Sequence, residues 1–263
     1  MDPLIEPVSA HDHGVAEFAV RFEALSAEDQ WGPVRDLIPV RPGAFALDIG
    51  AGTGRDAAWL ASLGLDVVAA EPAEDMRAEG ARRHPGLRWI DDRLPDLTRV
   101  HRLGLGFDFV LLSAAWAHLL QRDRRRAFRK MTTLLKPGGV LLMTLRHGPG
   151  APGRPMYEAS LGEVEALARD FGLGVVRVVA DRPDPLGLFE VTWTLIVLRL
   201  PDDGSMGLPL IRGIILNDSK TATYKLGLLR AVAKIADSAP SLAVHAADES
   251  DQVEVPLGMV ALN

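Results

Sequence analysis

Three glycines in five residues, at 50, 52 and 54, separate an apolar strand from an amphipathic helix in the run ALDIGAGTGRDAAWLASLG, Ala46 to Gly64. A strand that passes into a helix through so short a glycine loop is the first half of a βα unit. At the carboxyl end of a parallel sheet, such a turn is where ligands bind. Glycine lets the backbone reverse sharply and lets a ligand approach the main chain with no Cβ in the way. The spacing is not that of a dinucleotide site, G-x-G-x-x-G, because Arg55 holds the place of the third glycine. Asp48, just before the loop, adds a negative charge where a pyrophosphate would want none, so a cationic or polyhydroxylated ligand suits the site better. The second apolar run, DVVAA, ends in Glu71, a carboxylate placed to accept both hydroxyls of a ribose.

After residue 43, apolar runs alternate with helical patterns, which predicts an α/β fold with a parallel sheet and crossover helices. Strands are expected at Phe45–Ile49, Asp66–Ala70, Leu87–Ile90, Phe107–Ser113, Val140–Arg146, Gly174–Val179 and Val191–Leu198. Helices are expected near Arg55–Leu63, Glu74–Arg83, Arg122–Leu135 and Leu161–Phe171. The last is the best signalled: Ser160 and Glu163 have capping-box spacing, Leu161, Val164, Leu167, Ala168 and Phe171 form one stripe, and Gly172 stops it. GVAEFAVRFEALS and WGPVRDLI read as short helices packed on the edge or rim of the sheet, a natural lid.

The 263 residues, 48% apolar, suffice for one domain of ordinary size plus an appendage. A net charge of −6 does not favour a surface that wraps nucleic acid, and the basic run RDRRRAFRK, Arg122 to Lys130, reads as a solvated helix face. Without cysteine there is no disulfide, thiolate metal site or cysteine nucleophile. The opening residues lack the pattern of a signal peptide and no apolar segment reaches bilayer length, so a soluble, cytoplasmic protein is expected. His11 and His13 lack further ligand candidates, and no metal is predicted.

LDIGAGTG, followed by VVAAEPAEDM, WIDDRLPDL, FDFVLLSAAWAHL and LLKPGGVLLMTLRHG, resembles the class I S-adenosylmethionine-dependent methyltransferases over about Pro33 to Leu200. The resemblance implies a Rossmann-like sandwich with a seven-stranded, mostly parallel sheet and an antiparallel last strand. It implies S-adenosyl-L-methionine as cofactor, with Gly50, Gly52 and Gly54 lining the methionine part and Asp48 near its ammonium group. Glu71 would hold the ribose, Pro72 and Met76 would flank it and the adenine, and Asp92 would meet the adenine amino group. Ser113 and Ala114 would lie at the sulfonium.

Methyl transfer is an in-line displacement that depends mainly on positioning, so no catalytic signature is required. His118 stands past the fourth strand as a general base or acceptor contact, or as a residue that merely packs on the next helix. Arg146 and His147, ending the fifth strand, form a polar pair that recognises an acidic substrate or satisfies loop carbonyls. The acceptor is expected to be a small molecule. A cofactor-binding domain without catalysis and a nicotinamide-dependent oxidoreductase are the competing readings, the second disfavoured by Arg55 and Asp48.

Prolines, glycines and acids cluster at Arg199 to Pro209, giving an N-terminal helical lid over 1–42, a methyltransferase domain over 43–200 and a C-terminal helical extension over 201–263. The extension carries one plausible helix with Tyr224, Leu228, Val232 and Ile235 on a face, and it ends on an apolar run, as if cut from a longer chain. It loosely resembles the opening of helical domains found beside nuclease modules; the simpler reading is a supporting appendage or a dimer contact through 210–263.

Overall fold

The structure is a computed structural model that describes residues 15–150, 155–202, 244–245 and 253–254. The chain divides into two units, Met1–Asp202 and Asp203–Asn263. In the second, the description is confined to an antiparallel pair, Val244–His245 with Val253–Glu254. The helix expected around Tyr224 to Ile235, and the pair His11 and His13, lie outside the described residues.

The first unit is built on seven strands: β1 (Phe45–Ile49), β2 (Asp66–Ala70), β3 (Arg88–Ile90), β4 (Phe107–Leu112), β5 (Leu135–His147), β6 (Gly174–Pro183) and β7 (Thr192–Arg199). Their order is β3-β2-β1-β4-β5-β7-β6, with β3 to β5 mutually parallel and β7 antiparallel to both neighbours. This is the α/β sandwich the sequence predicts. Central strands carry near-continuous apolar runs because both faces of a parallel sheet are covered, and FDFVLL of β4 is buried throughout. Asp108 interrupts that run without cost in unpaired charge. Its carboxylate accepts from the Phe45 N–H at 2.8 Å, Lys136 Nζ at 2.7 Å and Arg41 Nη2 at 2.5 Å, closing the amino end of the sheet.

The helices are α1 (Val15–Glu23), α2 (Ala27–Trp31), α3 (Arg55–Ser62), α4 (Glu74–Arg83), α5 (Thr98–His101), α6 (Gln121–Thr132) and α7 (Leu161–Asp170). None is long and apolar enough to cross a membrane among the described residues. The short α5 carries no periodic signal and was not expected. β5 begins at Leu135 rather than Val140, because Leu135 pairs with Phe107 while the intervening KPGG bulges before pairing resumes at Phe109 and Val140.

Two local expectations need correction. Arg124, in the basic run expected to be a solvated face, is 1% exposed. It lies over the Trp116 ring and donates to the carbonyls of Leu119, Tyr157 and Glu158 and to Glu163 Oε2. Arg125 and Arg126 do face outward, where they pair with Asp170 and Asp96. The capping box of α7 is only half formed for the same reason. Ser160 Oγ accepts from the Glu163 N–H at 3.1 Å, but the Glu163 carboxylate turns to Arg124. Gly172 (φ +77°) ends that helix, with the Leu173 N–H bonded to the Ala168 carbonyl and the Gly172 N–H to that of Arg169.

The N-terminal helices are fastened at both ends of the sheet's sequence. Arg177 and Arg182 on edge strand β6 reach the carbonyls of Pro33 and Gln30, and Arg177 also pairs with Asp36. Trp31, fully buried, donates its indole N–H to Asp56 at the start of α3.

Candidate active site

The order in which strands are added reverses between the parallel neighbours β1 and β4: from β1 the crossovers run toward β3, and from β4 toward β5. Ligands of open α/β sheets bind at that break, beyond the carboxyl ends of the strands. The glycine loop stands there. Gly50 and Ala51 donate their N–H groups to the Ala70 carbonyl, and Gly50, Gly52 and Gly54 all have positive φ. Gly54 admits the Trp89 ring, which a Cβ would meet at 2.8 Å, whereas a Cβ on Gly52 would point into open space. The loop is therefore closed on its helix side and open at its tip.

Glu71 supports that tip. Its Oε2 accepts from the Gly52 N–H at 2.8 Å and its Oε1 from the Ala73 N–H at 2.9 Å, which leaves each oxygen a further lone pair. Burial pushes its carboxyl above the ordinary value, against the opposing pull of these two N–H groups and of Arg77. Pro72 and the buried Met76 follow on the same side. Arg77, which sequence reasoning missed, pins this corner by donating to the Glu71 and Pro72 carbonyls at 2.8 and 2.9 Å.

Asp48 is 1% exposed, and neither carboxylate oxygen has a hydrogen-bond partner among the described residues. Burial raises its pKa well above the usual range, and the charges of Asp56 and Glu71 push the same way, Arg55 opposing them. It lies sealed beneath the loop, so an attraction for a cation acts through the field at this corner rather than by contact. Asp92 is committed locally, accepting from the N–H groups of Arg93 and Val100 at 2.9 and 2.8 Å. Asp91 pairs with Arg99 and Arg77 instead.

Ser113 and Ala114 follow β4, half-buried, beside the loop. Ala115, next in line, would be 3.2 Å from a Cβ on Gly50. The Ala114 N–H donates to Thr144 Oγ1 at 2.7 Å, and Ala114 has φ +55°, a backbone state costly outside glycine. Thr144, a buried polar residue within an apolar strand, is the signal that could have marked this anchor. His118 Nδ1 is 2.9 Å from the Pro155 carbonyl. A carbonyl only accepts, so Nδ1 carries the proton of the neutral ring and Nε2 keeps its lone pair.

Arg146 and His147 end β5 at the wall of a cavity of about 530 Å³ whose opposite side includes Ala117, Met156, Tyr157 and Leu161. Arg146 donates to the carbonyls of Gly148 and Pro149 and has no carboxylate partner among the described residues. His147 Nε2 is 2.9 Å from Thr194 Oγ1 on β7. The far wall is fastened by the Tyr157 N–H bond to the Ala117 carbonyl and by Arg124. The cavity thus lies on the β5 side of the loop; β1 and β5 are separated by β4 alone, or about 10 Å at the usual strand spacing.

Residues 47–141 match a family model described as a methyltransferase domain, and residues 204–263 match one described as a domain of unknown function (DUF8808). A demethylmenaquinone methyltransferase of Beutenbergia cavernae is 33% identical over 123 residues, 46% of this chain and 49% of its own length. A trans-aconitate 2-methyltransferase of Deinococcus radiodurans is 32% identical over 143 residues, 51% of each. The chain therefore spans about half the length of these relatives. In fold it is similar to a magnesium protoporphyrin IX methyltransferase from Synechocystis solved with bound S-adenosylmethionine, at a TM-score of 0.52 and 15% identity, over 73% of this chain and 86% of that one. The α/β unit carries a methyltransferase domain on the fold of the class I S-adenosylmethionine-dependent methyltransferases. Within this methyltransferase unit, the matched segment holds the glycine loop, Glu71, Asp92 and the stretch from Ser113 to His118. Arg146, His147 and the wall from Met156 to Leu161 fall beyond it.

Proposed function

We propose that this chain transfers a methyl group from S-adenosyl-L-methionine to a small-molecule acceptor. The observation that carries the reading is Glu71 clamped to the tip of the glycine loop by the Gly52 N–H, at the break between β1 and β4, with lone pairs to spare. The residues fit the cofactor. An open loop tip suits its methionine part, the free lone pairs of Glu71 suit a ribose diol, and the buried, unpartnered Asp48 supplies negative potential once an arriving cation drives off its proton. Gly50 and Gly54 complete the loop, Pro72 and Met76 flank the adenine and ribose, Asp92 lies toward the adenine, and Ser113 and Ala114 border the sulfonium.

When bound, the cofactor supplies an electrophilic methyl on a sulfonium, whose carbon–sulfur bond breaks as the acceptor's bond to that carbon forms. The protein's contribution is to position the acceptor in line and to exclude water. His118 Nε2 takes the proton when the acceptor atom bears one. Residues 1–42 serve as a lid, 43–200 as the catalytic unit and 201–263 as a separate extension, in a cytoplasmic enzyme. The acceptors in the names of the two relatives, demethylmenaquinone and trans-aconitate, are small molecules, which supports that class.

Calorimetric titration with S-adenosylhomocysteine, with NAD in parallel, tests the cofactor. Micromolar binding of the first alone, lost in Glu71→Ala, is the expected result; NAD binding instead would sink the proposal. Transfer of labelled methyl to the small-molecule fraction of a cell extract then separates an enzyme from a domain that only binds the cofactor.

A further inference from the structure

The cavity beside β5 is two-sided in chemistry. One wall ends in Arg146, a guanidinium that donates to loop carbonyls and pairs with no acid among the described residues. Its lining also includes the apolar residues Ala117, Met156 and Leu161 together with Tyr157. Glu158 also borders the cavity, but it is exposed and its carbonyl is held by Arg124.

The loop between β6 and β7 passes beside one lining residue of this cavity. A Cβ on Gly148, which lines the cavity, would be 2.1 Å from the Glu190 carbonyl oxygen, so the end of the loop that enters β7, next to Phe189, lies directly against it. The tip exposes Leu186, Leu188 and Phe189, the last 98% exposed. It is nonetheless a built loop. Asp184 Oδ1 accepts from the Leu186 and Leu188 N–H groups, and Asp184 Oδ2 accepts the Trp193 indole N–H at 2.8 Å. A loop ordered around one carboxylate so as to turn three large apolar side chains outward, next to a cavity with an uncompensated cation, is an incomplete binding surface.

We infer that the cavity takes an amphiphilic anion, its charged group on Arg146 and its apolar part lying between the Met156–Leu161 wall and the Leu186–Phe189 loop. The inference rests on the methyl-transfer reading in taking this ligand as the acceptor. Two hydrogen-bonding carbonyls leave most of the guanidinium's five donors for a carboxylate or similar oxyanion. The cavity volume is in the range of small-molecule sites, and its lining mixes polar groups with apolar ones, as an amphiphilic ligand needs.

The test is a titration of n-alkanoates from butyrate to decanoate, with decanamide as the neutral control, into the full chain with and without S-adenosylhomocysteine. Affinity should rise about three- to fourfold per methylene while the chain is being buried. Arg146→Gln should weaken every carboxylate about tenfold or more, and Phe189→Ser should flatten the dependence at the longest chains. A flat series, equal binding of decanamide, or indifference to both substitutions overturns the inference. So does binding to phosphatidylcholine vesicles that Phe189→Ser abolishes while decanoate affinity stays the same, which would assign the loop to a lipid surface. Alkanoate binding without S-adenosylhomocysteine binding would retain the site and remove the methyl-transfer reading; the reverse result would do the opposite.

Discussion

Glu71 bonds to two backbone N–H groups and still presents lone pairs to a ligand, so one side chain both shapes the loop and reads what binds there. Glu71→Gln keeps its size but turns an NH2 group toward the Gly52 or Ala73 N–H. The lost charge-assisted bond and the facing donors together cost about 2–3 kcal/mol, and calorimetry should show S-adenosylhomocysteine affinity roughly 30- to 100-fold lower. Asp48 makes a different prediction. Its carboxyl holds a proton more tightly in the fold than in the unfolded chain, so stability is fullest below the ordinary value of 3.8 and declines as pH rises through the raised one. Glu71, shifted in the same direction, adds to that slope. Asp48→Asn should flatten the fall of the thermal midpoint between acid and neutral pH. The same variant should lessen the proton release on binding the cationic cofactor, read by calorimetry in buffers of different ionisation enthalpy.

Among the elements, α6 is the one whose role differs most from its appearance. A helix with six basic residues in nine looks solvated, yet Arg124 at its N-terminal turn holds the 157–163 segment that forms the cavity wall. Arg124→Met would leave three carbonyls and the Glu163 carboxylate without their donor. A loss of about 3–5 kcal/mol is expected, as for breaking a buried pair, and chemical denaturation measures it. Arg124→Lys should recover only part of that loss, because a single ammonium cannot span the carbonyls a planar fork reaches. The glycine loop shows the converse economy of space. Gly54 and Gly80 both abut the Trp89 ring, so the joint between α3, α4 and β3 depends on two missing Cβ atoms.

At the scale of the first unit, the chain's beginning is tied to its last strands. Arg182 donates to the Gln30 carbonyl at 2.6 Å, while α1 and α2 meet the glycine loop through Glu23, which accepts from Thr53, and Arg55, which reaches Gln30. The same Arg55 that breaks the dinucleotide pattern is thus a fastener of the N-terminal helices, its guanidinium over the Phe22 ring and bonded to Asp56. Arg182→Ala should lower stability by about 1 kcal/mol, or roughly 2–4 °C in a chain of this size. It should also expose the 24–40 segment to limited proteolysis sooner than the sheet, which fragment mass spectrometry would show.

Strand alternation, glycine spacing and the acids near the ends of β1 and β2 are local signals, and by themselves they determined the α/β fold, the order of its elements and the place of the glycine loop between β1 and α3. Periodicity and turn chemistry act within a few residues, which is why β1, β2 and α4 fall on their predicted bounds. What lay beyond the sequence depends on contacts between distant residues. The burial of Arg124, the diversion of Glu163 from its cap, the sealing of Asp48, the Thr144 anchor and the cavity between β5 and the 156–161 wall all require the packed chain. A charged side chain in a sequence carries no mark of whether carbonyls will surround it or water will, and only the tertiary structure decides which desolvation is compensated.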